Sequence, residues 1–347
     1  MLSGKYLLST NPGTNKFLII TLYQKTMKDL LTIGEYEPEQ LQSFINISES
    51  LQNTPQLLLA QKNILFVFEK PSLRTKIGTE AAITHLGGNV MHADPKTVFE
   101  YEEDPFGCRE SLTDTVKNIS QWCDAIFSRV YKHETLKEMA ENADIPVINA
   151  LCNLHHPMQA LADLYTIQQE FGKEEKVSIA FIGDANNVSF SLIEIGLKFG
   201  HDMRFSAPVD FYWSEEQIQY FKLLEVEYGG SFFHSEDPFE AVKGSQVIYT
   251  DAFVSMGEED ILEEKLAHFK NYQVNRKLMN MADTNARFMH CLPAHRGIEV
   301  TDEVIDHANS LVLNQSKNRM VVSKGVFASL INKPAVTELE LYQYNGI

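Results

Sequence analysis

Ser72, Leu73, Arg74 and Thr75 stand where the apolar run NILFVF, Asn63 to Phe68, gives way after Pro71 to a helical apolar period. Two hydroxyls and a guanidinium at a helix N-terminus suit phosphate. That end carries unpaired backbone N–H groups and partial positive charge, and an Arg adds planar two-point recognition. The same residues also read as an ordinary cap at Ser72 beside a surface Arg. Four further clusters fall where apolar runs end. Arg129 closes the run AIFSR, as an anion ligand or as a salt-bridge partner. His156 and Gln159 of HHPMQALAD lie three apart at a helix start, hence on one face, and Pro157 suits its first turn. Asp251, Ser255 and Met256 of DAFVSMGEED follow QVIYT in a stretch that also reads as a plain surface turn. Cys291 of MHCLPAHRG sits beside His290 and invites thiol or metal chemistry. Neighbours on a strand point to opposite faces, however, and no other Cys or His falls at ligand spacing. A nucleophilic thiol and a metal site are therefore not expected.

These residues need scaffolding, and the rest of the sequence supplies a regular one. After Lys62, short β-rich runs alternate with amphipathic helices such as SLTDTVKNISQW, HPMQALADLYTIQQEFG and SEEQIQYFKLLEVEYGG. The expected strands are NILFVF, NVMHA, AIFSRV, PVINAL, VSIAFIGD, MRFSAP, SFFHS, QVIYTDA, ARFMHCLP and SLVLNQ. Strict alternation predicts parallel sheets covered on both faces. Ten strands over 347 residues predict two domains, the first ending near the helix that starts at His156. From Gly88 to Glu110 the rhythm breaks in a long acidic segment with two prolines, which reads as an exposed loop.

The formal charge of −17 argues against nucleic acid or an anionic membrane as partner. A small anion then requires a locally basic pocket. No apolar run reaches the length of about 18 residues needed to span a bilayer. Cys108, Cys123, Cys152 and Cys291 form no CxxC pair, which fits a reducing, cytoplasmic compartment. Residues 1–26 contain lysines but no acid, and their apolar cluster KFLIITLY is too short for a signal peptide, so they read as a transit peptide or, more simply, as an appendage. VSIAFIGDANN has one glycine, Gly183, where a dinucleotide turn needs three, and no phosphate-binding G-x-x-x-x-G-K-[ST] is present. Nicotinamide and nucleoside triphosphate chemistry are set aside.

Taken in order, SLRT, SRVY, HPMQ, GDANN, DAFVSMG, HCLP and a terminal NR resemble the motif set of the aspartate/ornithine carbamoyltransferase family, from about Lys28 to Asn332. SMG with HCLP is similar to its ornithine branch in particular. The resemblance implies two doubly wound α/β domains with central parallel sheets and an active-site cleft between them. It implies carbamoyl phosphate and L-ornithine as substrates, no cofactor, and assembly as a homotrimer or a multiple of trimers. Ser72, the Leu73 backbone, Arg74 and Thr75 would hold phosphate, and Arg129 would bridge phosphate and carbonyl oxygen. His156 and Gln159 would meet the carbamoyl group, and Arg319, expected at the start of the last helix, would complete that site. Asn187, Asp251, Ser255 and Met256 would bind the amino-acid end of ornithine, with Cys291 and the Leu292 carbonyl near the reacting amine. The implied division is 27–160 for carbamoyl phosphate and 161–316 for ornithine, with 317–347 returning to complete the first domain.

The sequence also departs from the family pattern. Where a Gln or His commonly reaches the neighbouring subunit's site, counting back from Glu110 gives Pro105, which has no side-chain donor. The segment 90–109 is longer and more acidic, and the usual E-A-E-N-R reads Gln315 to Arg319 here, keeping the Arg. Another amine, such as putrescine or an N-acylornithine, and a non-catalytic paralogue are the competing expectations. Retention of Arg74, Arg129, His156 and Gln159 together speaks against the latter.

Overall fold

The computed structural model describes residues 28–54, 56–99, 110–254 and 259–332. The acidic segment around Pro105, the appendage 1–26, and Ser255 and Met256 lie outside them, as do residues 333–347.

The described residues form two parallel sheets. The first contains β1 (Asn63–Phe68), β2 (Asn89–Ala93), β3 (Ala125–Arg129) and β4 (Val147–Leu151), in the order β2-β1-β3-β4. The second contains β5 (Ser178–Ile182), β6 (Asp202–Ser206), β7 (Ser231–His234), β8 (Val247–Thr250) and β9 (Arg287–His290), in the order β7-β6-β5-β8-β9. The longer helices are α1 (Pro38–Asn53), α2 (Leu73–His85), α3 (Leu112–Trp122), α4 (His133–Asn142), α5 (Pro157–Phe171), α6 (Asn187–Lys198), α7 (Glu215–Tyr228), α8 (Leu262–His268) and α9 (Val312–Ile331). Strands β3, β4 and β8 are buried almost throughout, as parallel strands covered by helices on both faces must be, whereas β2 and β7 are edges.

In each sheet the chain order reverses beside one central strand: β1 lies between β2 and β3, and β5 between β6 and β8. Ligands of such sheets bind beyond the carboxyl ends of the strands at this reversal. In the first sheet that point is flanked by Ser72 and by Arg129, which pairs in register with Phe68. In the second it is flanked by the turn after Ile182 and by Asp251, next after Thr250.

One expected strand is absent. SLVLNQ forms a single bridge, Phe288 to Ser310, and then enters α9 at Val312. A short apolar run cannot be told from a buried helical turn by periodicity alone. Here the buried positions Val312, Gln315 and Arg319 continue a helical spacing. Arg319 therefore sits inside α9, not at its start. Phe127 of β3 touches Phe66, Phe68 and Phe327 at centroid distances of 5.0, 5.7 and 5.5 Å, which fastens α9 to the first sheet. Such ring contacts add about 0.5–1.5 kcal/mol each beyond burial. This clamp carries Arg319 back to the first sheet although it follows every strand of the second.

Candidate active site

Ser72 is the N-cap of α2, but its hydroxyl donates to Thr75 Oγ1 at 3.0 Å and caps no backbone amide. The helix end thus keeps donors facing outward, with Leu73 exposed and Arg74 half-exposed in the first turn. Arg319 approaches from α9, donating to Thr75 Oγ1 at 2.8 Å and to Gln159 Oε1 at 2.6 Å. Arg129 arrives at the end of β3, where the pairing with β4 shifts register. Burial, then the charges of Arg319 and Arg74, push the Arg129 guanidinium down to about 10. Burial likewise lowers Arg319, with Arg74 adding to the effect. Three guanidinium groups that disfavour one another, two of them desolvated, form a strong site for a multiply charged anion. The protein's overall −17 charge makes this local reversal a built feature.

His156 is the buried N-cap of α5, and its backbone N–H donates to Ser191 Oγ at 2.9 Å. Burial, followed by the charges of Arg319 and Arg129, holds its imidazole well below the usual range, so it is neutral at physiological pH. A neutral imidazole still has one N–H to donate. Gln159 lies one turn on and is buried too.

The facing strand ends supply a second group. Gly183, with φ +150°, turns the chain after β5, in a conformation that side chains rarely adopt. Asn186 then caps α6, its Oδ1 accepting from the Val188 and Ser189 amides at 3.0 Å each. Its Nδ2 donates to Asp251 Oδ2 at 3.3 Å, while Asn187 donates to the Cys152 carbonyl at 2.5 Å. Asp251 also accepts the Cys291 thiol proton on Oδ1 at 2.9 Å. Thr250 pairs in register with His290, so Asp251 and Cys291 leave β8 and β9 side by side. Burial, then the Asp251 charge and hydrogen bond, push the thiol well above its ordinary acidity. It is a neutral S–H donor and not a thiolate nucleophile.

His290 points away from Cys291 in function. Its Nδ1 accepts the Leu292 N–H at 2.8 Å and its Nε2 faces Glu299 Oε1 at 3.3 Å, which assigns the proton to Nε2. Leu292 is thereby held at φ +58°, which fixes the direction of its carbonyl. Donor atoms of Asp251, His290 and Cys291 nevertheless lie within 4.8 Å of one another, a grouping that could hold a metal ion. Sequence spacing could not reveal it, because Asp251 comes from another strand. A metal there would have to displace the thiol–carboxylate hydrogen bond and one of the two His290 contacts.

The structure thus gathers Ser72, Arg74, Thr75, Arg129, His156, Gln159 and Arg319 around one strand-end cluster, and Asp251, Cys291 and Leu292 around the other. Asn186 reaches Asp251, while Asn187, expected at the amino-acid end of ornithine, donates to the Cys152 carbonyl. The doubled asparagine of GDANN was the available signal. Asp163 and Tyr249 gave no signal, since single polar residues inside apolar periods give no pattern, and Gln315 stood out only as a departure from E-A-E-N-R.

Two parallel α/β units, with an arginine cradle at one reversal and a carboxylate–thiol pair at the other, define a two-substrate enzyme scaffold. The chain belongs to the aspartate/ornithine carbamoyltransferase family: residues 28–169 match its carbamoyl-P binding domain and residues 175–330 its Asp/Orn binding domain. A relative from Pyrococcus abyssi named ornithine carbamoyltransferase is 38% identical over 309 residues, 88% of this chain and 96% of the relative. One of the same name from Bacillus subtilis is 40% identical over 307 residues, 88% and 94% of the two chains. The solved ornithine carbamoyltransferase from Pyrococcus furiosus superimposes with a TM-score of 0.83 at 38% identity, covering 88% of this chain and 97% of that one.

Proposed function

We propose that this enzyme transfers the carbamoyl group of carbamoyl phosphate to the δ-amine of L-ornithine, giving L-citrulline and phosphate. The observation that carries the reading is the cluster of Arg74, Arg129 and Arg319 beside the start of α2, mutually repelling, with Arg129 and Arg319 desolvated. Ser72, the Leu73 amide, Arg74, Thr75 and Arg319 hold the phosphate, and Arg129 spans phosphate and carbonyl oxygen. The neutral δ-amine attacks the carbonyl carbon, and negative charge grows on its oxygen. Arg129 and His156 donate to that charge while Gln159 and the Leu292 carbonyl orient the carbamoyl group. The carbon–oxygen bond to phosphate then breaks, and the departing phosphate takes the amine's proton, so the balance needs neither metal nor organic cofactor. Cys291 stays protonated beside the amine. Asp251 receives the α-ammonium, and Asn187, Ser255 and Met256 address the rest of the amino-acid end.

The proposed domains are 27–160 with 317–347 for carbamoyl phosphate and 161–316 for ornithine. The reading includes a cytoplasmic homotrimer or multiple of trimers. Self-association is supported by an exposed apolar face around edge strand β2: Leu73, Ile77, Met91 and Trp122 are 74%, 55%, 45% and 65% exposed. Two cavities of about 480 and 340 Å³ open on this face and share His92 and Ala93, which makes it continuous. Among the described residues no helix is long and apolar enough to cross a membrane.

The test is turnover with carbamoyl phosphate and a panel of amines. A site built to pair an α-carboxylate loses orders of magnitude without it, so ornithine should exceed putrescine by about 10³ or more in kcat/KM. Asp251→Ala should narrow that gap mainly by harming ornithine. Equal turnover of putrescine would reassign the amine, and no turnover of any amine would remove the reading.

A further inference from the structure

Asp163 of α5 is fully buried and touches none of the groups assigned to substrate except Gln159. It accepts from Gln159 Nε2 at 2.8 Å and Gln315 Nε2 at 2.6 Å on Oδ1, and from Tyr249 Oη at 3.0 Å on Oδ2. The donors come from α5 itself, from α9 and from β8. Each leads on to an edge of the site. Gln159 Oε1 accepts from Arg319, whose other nitrogen binds Thr75. Gln315 Oε1 accepts the backbone N–H of His290 at 3.0 Å, next to Cys291. Tyr249 lies two residues before Asp251 on β8.

Both glutamine amides are therefore oriented without ambiguity: each oxygen is claimed by a donor, so each nitrogen must face Asp163. Burial pushes the Asp163 carboxyl up to about 7 while the three donors pull it back, and in its ionised form, with acceptors only, it satisfies all three. An asparagine would bring two N–H groups and leave one donor facing another.

We propose that Asp163 is a positioning residue that orients Gln159, and through it Arg319, while its bonds to Gln315 and Tyr249 tie the carbamoyl phosphate cradle to the strand ends bearing Asp251 and Cys291. The inference rests on the proposed function, because it takes Gln159 and Arg319 as carbamoyl phosphate ligands. Truncation of the network on the second-sheet side should be felt by the amine, and disturbance on the Gln159 side by carbamoyl phosphate.

The test compares the full-length wild type with Asp163→Asn and Tyr249→Phe. The readouts are carbamoyl phosphate binding by calorimetry, kcat, KM for ornithine and thermal stability. Asp163→Asn should weaken carbamoyl phosphate and lower kcat by about tenfold or more each, the scale of misplacing contacts without removing them. Tyr249→Phe should raise KM for ornithine about threefold or more and leave carbamoyl phosphate affinity within about twofold. A structural role alone would lower stability without this split between substrates. Asp163→Asn with binding and kcat both within about twofold of wild type would overturn the inference. If that variant does not fold, an unchanged KM for ornithine in Tyr249→Phe overturns it. An inactive wild type would instead overturn the proposed function itself.

Discussion

The thiol of Cys291 donates to Asp251 Oδ1 at 2.9 Å, joining the ends of two adjacent strands with a bond that keeps the sulfur protonated. Burial is the larger cause and the Asp251 charge the next. Removing the charge while keeping the shape should make the thiolate easier to form. Asp251→Asn should therefore shift the pH at which Cys291 reacts with iodoacetamide downward, and the wild-type residue should react slowly at neutral pH. Rates followed by mass spectrometry across pH check this; a profile that does not move would mean that Asp251 has no hold on the thiol.

Arg74→Ala should reduce kcat/KM by about a hundredfold or more, the scale of losing one preorganised charge-stabilising donor. The fold should survive, because Arg74 lies half-exposed in the first turn of α2 and packs no core. Near wild-type turnover in a variant of unchanged melting temperature would take Arg74 out of the site.

His201 links acidity to stability. Buried, and near the charge of Lys176, its imidazole is pushed down to about 4, and its Nδ1 accepts the Val177 N–H at 3.2 Å. An unfolded imidazole titrates near 6.5, so on acidification the unfolded chain binds the proton first. The contribution is full above about 6.5 and is lost as pH falls toward 4, amounting to about 3 kcal/mol. His201→Gln keeps an acceptor for Val177 but cannot protonate. Urea unfolding at several pH values should show the wild type losing stability relative to this variant across that window.

Gly325 marks the crossing of α9 and α1. An added Cβ would lie 2.1 Å from the Phe44 carbonyl oxygen and 2.2 Å from Ser48 Oγ, a backbone clash that no rotamer relieves. Gly325→Ala should destabilise by about 3 kcal/mol or more, at or beyond the upper end of ordinary overpacking. Gly78 of α2 has nothing within 4 Å of the same position. Gly78→Ala should stabilise by about 0.5–1 kcal/mol, by helix propensity and a less flexible unfolded chain. Chemical denaturation of both variants checks the contrast, and similar effects at the two glycines would contradict the close crossing.

What the sequence determined by itself was the alternation of strand and helix, the absence of nucleotide turns, and the polar residues that follow each apolar run. Those signals are local: a strand buried on both faces must be apolar, so an Arg, His or Asp just past its end stands out, as Arg129, His156 and Asp251 do. The tertiary structure decided what proximity along the chain cannot encode. It turned SLVLNQ into the first turn of α9, because the helix found a groove against α1 and the phenylalanines of the first sheet. It thereby carried Arg319 to Thr75, more than two hundred residues earlier in the chain. It set Asn186 on Asp251 and Asn187 on the Cys152 carbonyl, a matter of which side of a helix start faces which neighbouring strand end. And it made Asp163, Gln315 and Tyr249 one network, although each alone looks like an ordinary polar residue, because three donors from three elements can converge on a carboxylate only after the domains have packed.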